Sequence, residues 1–260
     1  MFRYKITVEY DGAFFCGWQR QRSDSLVNTE TESCLHSVQG TIEHALLKLT
    51  GTHVLVEGAG RTDAGVHALG QVAHFDLPSY IEPHRLLGGL NFYTRNHGCV
   101  VLDAEPVALD FHARFSATSR EYIYKIINRR SPLALDKARA WHISRCVDVE
   151  AMRSSAQDFI GTHNFNAFRS SACQGKNPVK TLDSFEITEE QDTITCHVKA
   201  RSFLHNQVRI MVGTLVWVGI GKYPQHVVDE LLKCGNRVKS GPTAPPHGLY
   251  LAAVGYANYP

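Results

Sequence analysis

The sequence predicts an α+β fold built from two modules, each an antiparallel sheet with helices on one face. Three observations predict it. Short runs of β-branched and aromatic residues alternate apolar and polar side chains with a period of two. Other runs carry apolar residues at helical spacing between recognisable start and stop residues. In the first 108 residues the two kinds follow one another as β-α-β-β-α-β, the split unit of ferredoxin-like folds.

The elements are placed as follows. Arg3 to Tyr10 alternates as a strand, and Asp11 to His36 is a long polar connection, its second half rich in Ser, Thr, Glu and Asn. Ser37 or Gln39 opens a helix to about Leu49, with Ile42, Ala45, Leu46 and Leu49 on one stripe and Gly51 as its stop. His53 to Glu57 and Gln71 to Asp76 read as two strands. Pro83 opens a helix through Leu90, and Cys99 to Ala104 is a strand. The second module, residues 109–260, has strands at Arg120–Asn128, Leu182–Thr188, Thr193–Ala200 and Gly248–Tyr256. Its helices fall at Val149–Ile160, Asn206–Val218 and Pro224–Lys233.

Length and composition agree with this division. The chain has 260 residues, 43% hydrophobic and 20% charged, which suits a globular protein of one large or two ordinary domains. The net charge of +2 does not by itself point to nucleic acid. Between Asp110 and Arg145, however, eight basic residues stand against three acidic ones, with Tyr122, Tyr124 and Trp141 interleaved. That pattern fits a solvated strand face and a polyanion site equally well. The seven cysteines are scattered without a Cys-x-x-Cys pair, which argues for a reducing, cytoplasmic setting and against disulfides or zinc. The fourteen histidines form no His-x-x-x-His or His-x-His pair, so no metal is expected. The N-terminal run reads as a strand rather than a signal peptide. The most apolar stretch, Ile210 to Ile220, is too short to span a bilayer.

Chemistry concentrates in Gly58-Ala-Gly-Arg-Thr-Asp-Ala-Gly-Val-His67. Glycines there admit positive φ and close approach of a ligand or another backbone. Arg61 and Asp63 stand alone between them, on a loop joining two strands. One reading makes Asp63 an ordinary turn acceptor. A dinucleotide fingerprint is a second, and it fails: the sixth position is Asp63 rather than a small residue, and Ala64 to Gly70 is too short for a parallel crossover of about a dozen residues. The two strands should therefore be antiparallel. The third reading makes Asp63 a nucleophile or base.

Four further stretches carry candidate chemistry. Phe111 to Tyr124 places Tyr122 and Tyr124 on one strand face, where they serve either as core or as stacking platforms for bases. Ser202 to Gly213 sets Arg209 in an apolar helix, either paired with a carboxylate or snorkelling to solvent. Asn164 to Lys180 is a polar loop with three basic residues, and Gly241 to Leu251 is a stiff Pro-rich segment that delivers Leu249 to a strand.

Taken in order, Tyr10-Asp-Gly, Gly17-Trp-Gln, Val38-Gln-Gly, Gly60-Arg-Thr-Asp-Ala-Gly-Val-His-Ala68, Phe111-His-Ala-Arg-Phe, Arg120-x-Tyr-x-Tyr124, Phe203-Leu…Val-Arg209 and Gly248-Leu-Tyr-Leu251 resemble the TruA-type tRNA pseudouridine synthases from about residue 3 to residue 256. The resemblance implies two ferredoxin-like, RRM-like modules whose sheets form a continuous core with a central RNA-binding cleft. It implies an enzyme that isomerises uridines 38–40 of the tRNA anticodon stem-loop. Asp63 would be the nucleophile, attacking the base or C1′. Tyr122 would stack on the flipped base and is the candidate to take the C5 proton, while Arg209 would pair with Asp63. Arg61 would displace the uridine and Leu249 would line the uracil pocket. The family implies no cofactor, no membrane, and a homodimer in which one tRNA touches both subunits. The connection Arg22 to His36 is longer than the family's usual one. A non-catalytic RNA-binding module is the alternative.

Overall fold

A computed structural model describes residues 1–20, 37–173 and 175–257. The long connection Arg22 to His36 lies outside the described residues. The chain is α+β with mostly antiparallel pairing and divides into two compact units. Unit 1 is residues 1–118 with the C-terminal residues from Leu251, and unit 2 is Ser119–Tyr250.

Unit 1 runs β1 (Phe2–Tyr10), α1 (Val38–Thr50), β2 (Glu57–Gly58), β3 (His67–Leu77), α2 (Pro83–Thr94) and β4 (Cys99–Val107). β1 lies between β4 and β3, antiparallel to both, and β2 pairs antiparallel with β3. The order β4-β1-β3-β2 is that of the split unit read from the sequence. Period two is visible in β1, where Tyr4, Ile6, Val8 and Tyr10 are buried. α1 starts because Ser37 Oγ accepts the Gly40 N–H at 3.1 Å, and it ends on Gly51 in the left-handed region. Its stripe Val38, Ile42, Ala45 and Leu46 is buried. Residues 251–256 of the last strand, β10 (Leu249–Tyr256), lie on the far side of β3.

One expected strand is mostly absent. Of His53 to Glu57, only Glu57 joins the sheet, pairing together with Gly58 against His74 and Ala73. The reason is competition for main-chain groups. Val56 N donates to Glu43 Oε1 at 3.2 Å and Val56 O accepts from Gln39 Nε2 at 3.1 Å, so α1 side chains satisfy the backbone that a ladder would have used.

Unit 2 contains β5 (Ala117–Asn128), β6 (Trp141–Ile143), α3 (Val149–Ala156), β7 (Gly161–Asn164), β8 (Val179–Glu190), β9 (Thr193–Ala200), α4 (Gln207–Gly219) and α5 (Val227–Cys234). The sheet order β5-β9-β8-β7 is antiparallel, with the short β6 parallel on β5. The expected helix Val149–Ile160 ends early, its last turn tightening to a 3-10 helix at Gln157–Phe159. Phe159 explains the tightening. It is fully buried, edge-on to Phe168 at 4.9 Å and stacked on Phe185 at 5.7 Å. The apolar run of α4 is a core helix, buried from Ile210 through Val216. Among the described residues no helix is long and apolar enough to cross a membrane.

Candidate functional site

The Asp63 loop is tied to its surroundings on four sides. Gly60 O accepts from Gln71 Nε2 at 2.8 Å. Thr62 O accepts from Trp18 N at 3.1 Å, and Thr62 Oγ1 shares a buried 2.7 Å hydrogen bond with Tyr10 OH. Asp63 O accepts from Val66 N at 3.1 Å, closing a turn on Gly65, and Asp63 forms an antiparallel bridge with Gly17. Gly17 and Trp18 are themselves fixed by α1, since Val38 N donates to Gly17 O at 3.1 Å and Gln39 N to Trp18 O at 3.0 Å. The glycine, tryptophan and glutamine motifs of the sequence thus interlock around one loop, leaving it little freedom.

That loop presents its side chains to a cavity of about 300 Å³ lined by Asp63, Arg61, Arg20, Gln19 and Cys16. Asp63 is partly buried, and Arg61 and Arg20 are exposed. Arg20 Nη1 also lies 3.3 Å from Glu43 Oε2. Chemically, the cavity offers a carboxylate for nucleophilic attack or proton removal, with guanidiniums beside it that suit phosphate oxygens.

The other three residues expected in the site belong to unit 2. Tyr122, on β5, is partly buried and edge-on to Phe203 at 5.1 Å. Arg209, in the first turn of α4, is partly buried. It donates from Nε to Ala244 O at 2.7 Å and from Nη1 to Asn206 Oδ1 at 2.8 Å. Leu249 is buried at the start of β10. Next to it, Gly248 has no room for a side chain, since an added Cβ would lie 2.7 Å from Tyr124 Cζ. Tyr124 donates its hydroxyl proton to Pro245 O at 2.8 Å, and burial raises its pKa, so it stays a neutral donor. The Pro-rich segment, Tyr124 and Arg209 therefore form one hydrogen-bonded patch.

Gln71 and Arg20 were not singled out by the sequence. Gln71 stood in an alternating strand as an unremarkable polar residue, although it is fully buried. Arg20 was hidden in a polar connection, where its place beside Asp63 depends on the bridge from Gly17.

One side-chain group among the described residues brings metal-ligand atoms together: Glu57, His74 and His112, all within 4.8 Å. The tautomers oppose a metal. His74 Nδ1 accepts from Ala113 N at 3.3 Å, and His112 Nδ1 accepts from Arg114 N at 3.1 Å. A neutral ring whose Nδ1 accepts carries its proton on Nε2, whereas a metal-bound Nε2 needs the proton on Nδ1. Both Nε2 atoms instead face the Glu57 carboxylate, at 4.0 Å and 3.5 Å. Burial lowers the His74 pKa; His112 and Arg3 lower it further, against Glu57 and Asp76.

Comparison with known proteins matches the sequence to one family. The family model for tRNA pseudouridine synthase matches residues 6–116 and 155–257. A tRNA pseudouridine synthase A of Afipia carboxidovorans is 50% identical over 254 residues, covering 98% of this chain and 99% of that one. The same-named protein of Nitrobacter winogradskyi is 49% identical, covering 98% and 95%. That of Ehrlichia ruminantium (strain Welgevonden) is 46% identical over 255 residues, covering 98% and 100%. With the family model matched over residues 6–116 and 155–257, seven of the eight sequence motifs inside it, and relatives covering 98% of the chain, this protein belongs to the tRNA pseudouridine synthase family.

Proposed function

We propose that this protein isomerises uridine to pseudouridine at positions 38–40 of the tRNA anticodon stem-loop, with Asp63 as nucleophile. The reaction balances within the substrate. The N1–C1′ bond breaks, a C5–C1′ bond forms, the C5 proton leaves and N1 gains a proton. No oxidant, reductant or cofactor is consumed. A uridine in a stem must first leave the stack, which costs a few kcal/mol. Arg61, exposed at the mouth of the cavity, is the group assigned to displace it. Tyr122 is assigned to stacking on the everted base and to the C5 proton, Leu249 to the uracil pocket, and Arg209 to pairing with the Asp63 nucleophile. The enzyme acts in the cytoplasm as a homodimer on tRNA.

The observation that carries the reading is the Asp63 loop itself. A carboxylate on a loop whose Gly60, Thr62 and Asp63 are tied to Gln71, Tyr10, Gly17 and Val66, in a cavity with guanidiniums, is arranged for chemistry on a polyanion. The test is incubation of purified protein with unmodified tRNA, followed by carbodiimide mapping of the anticodon arm. New pseudouridine at 38–40 in the wild type, and none with Asp63→Asn despite retained tRNA binding, is expected. Full turnover by Asp63→Asn would remove Asp63 from the mechanism. Binding without turnover by the wild type would leave an RNA-binding module.

A further inference from the structure

The motif Phe111-His-Ala-Arg-Phe115 is not used by the mechanism above. Phe111 and Ala113 are buried in a cluster with Ala59 and Val72, and so anchor the motif to the start of the Asp63 loop and to β3, the strand that follows it. Phe115 points the other way and is 72% exposed. Its backbone is nevertheless fixed. His112 N donates to Ser116 Oγ at 3.0 Å and Ser116 N to His112 O at 2.9 Å, while Ala113 O accepts from Tyr256 OH at 2.7 Å. Behind the exposed ring the His112 imidazole lies at 4.3 Å, with His74 a further 4.6 Å on. The Arg114 guanidinium lies 5.7 Å from the Phe115 ring.

A large aromatic ring in water, backed by two imidazoles and held on a rigid turn, has lost its freedom before binding anything. A flat π-system is its natural partner, and a cation beside it selects one that carries negative charge. A nucleotide meets both needs: base on ring, phosphate on guanidinium. Phe115 does not line the Asp63 cavity, so this base is not the one that reacts.

We propose that Phe115, flanked by Arg114, is a stacking platform for a second, unreactive base of the tRNA substrate. The proposal rests on tRNA being the substrate. It adds a contact that positions the RNA while the target uridine is everted elsewhere.

The experiment compares wild type, Phe115→Ala, Phe115→Trp and Arg114→Ala for binding of unmodified tRNA, with turnover, melting and oligomeric state measured on the same samples. Phe115→Ala should weaken tRNA binding about tenfold, as expected for loss of one stacked base, with kcat at saturating tRNA and the melting point unchanged. Phe115→Trp should bind within about twofold of wild type, and its new indole fluorescence should be quenched by tRNA. Arg114→Ala should lower the salt dependence of binding by about one ion. Unchanged affinity in Phe115→Ala overturns the platform. So does a Phe115→Trp protein that folds but binds as weakly as Phe115→Ala, or a loss of binding that follows a changed oligomeric state. Failure of the wild type to convert tRNA is a separate result: it removes the proposed reaction, while the affinities still decide Phe115.

Discussion

Gly17 and Asp63 face one another across an isolated antiparallel bridge, and only glycine can hold the first of those positions. Its φ is +115°, and an added Cβ would stand 2.7 Å from Thr62 O. Gly17→Ala therefore strains the backbone and pushes on the carbonyl beside Asp63 at once. It should lower stability by about 1–3 kcal/mol, read by chemical denaturation, and reduce turnover more than tRNA affinity.

Gln71 separates positioning from stability. Its Nε2 holds Gly60 O, but its buried Oε1 has no hydrogen-bond partner among the described residues. Gln71→Met forfeits a bond worth about 1 kcal/mol and removes an orphaned acceptor whose burial costs about 1–3 kcal/mol. The melting temperature should hold or rise while kcat falls. An unchanged kcat would show that the Gly60 tie does not govern the loop.

Arg209 uses two faces of its guanidinium, Nε on Ala244 O and Nη1 on Asn206 Oδ1. A lysine ammonium cannot reproduce that fork. Arg209→Lys should destabilise by about 1 kcal/mol, the scale of one such bond at a partly buried site. Turnover should drop well beyond what that loss explains. Thermal melts and single-turnover rates on the same protein check the two effects separately.

His74 gives the fold a pH dependence. Its native pKa lies below 6.5 because burial disfavours the imidazolium, helped by His112 and Arg3 and opposed by Glu57 and Asp76. As pH falls below 6.5 the unfolded chain takes up the proton first. The contribution is therefore most favourable above 6.5 and is lost as pH drops through the interval down to the native value. Urea unfolding at pH 8 and pH 5 should show a smaller loss in His74→Gln than in wild type.

The acid arm follows Asp76. Its carboxylate accepts Arg3 Nε and Nη2, both at 2.7 Å, and the Arg3 hydrogen bond holds its pKa below 3.8. This contribution is present above 3.8 and fades as pH falls through the native value. Asp76→Asn should remove that part of the acid denaturation curve.

The sequence by itself determined the order of elements, because period two in Tyr4 to Tyr10 and the Ser37 and Gly51 caps of α1 are written in neighbouring residues. It also determined the Asp63 loop, since three glycines around one Arg and one Asp need no distant partner to be noticed. Only the tertiary structure decided that Val56 leaves the sheet for Gln39 and Glu43, or that Gly17 and Trp18 grip Thr62 and Asp63. It alone decided that Gln71 supports Gly60 and that Phe115 stands out on a braced turn. Each of these depends on which group, side-chain or main-chain and distant in the chain, reaches a main-chain partner first. Such competition leaves no local pattern to read.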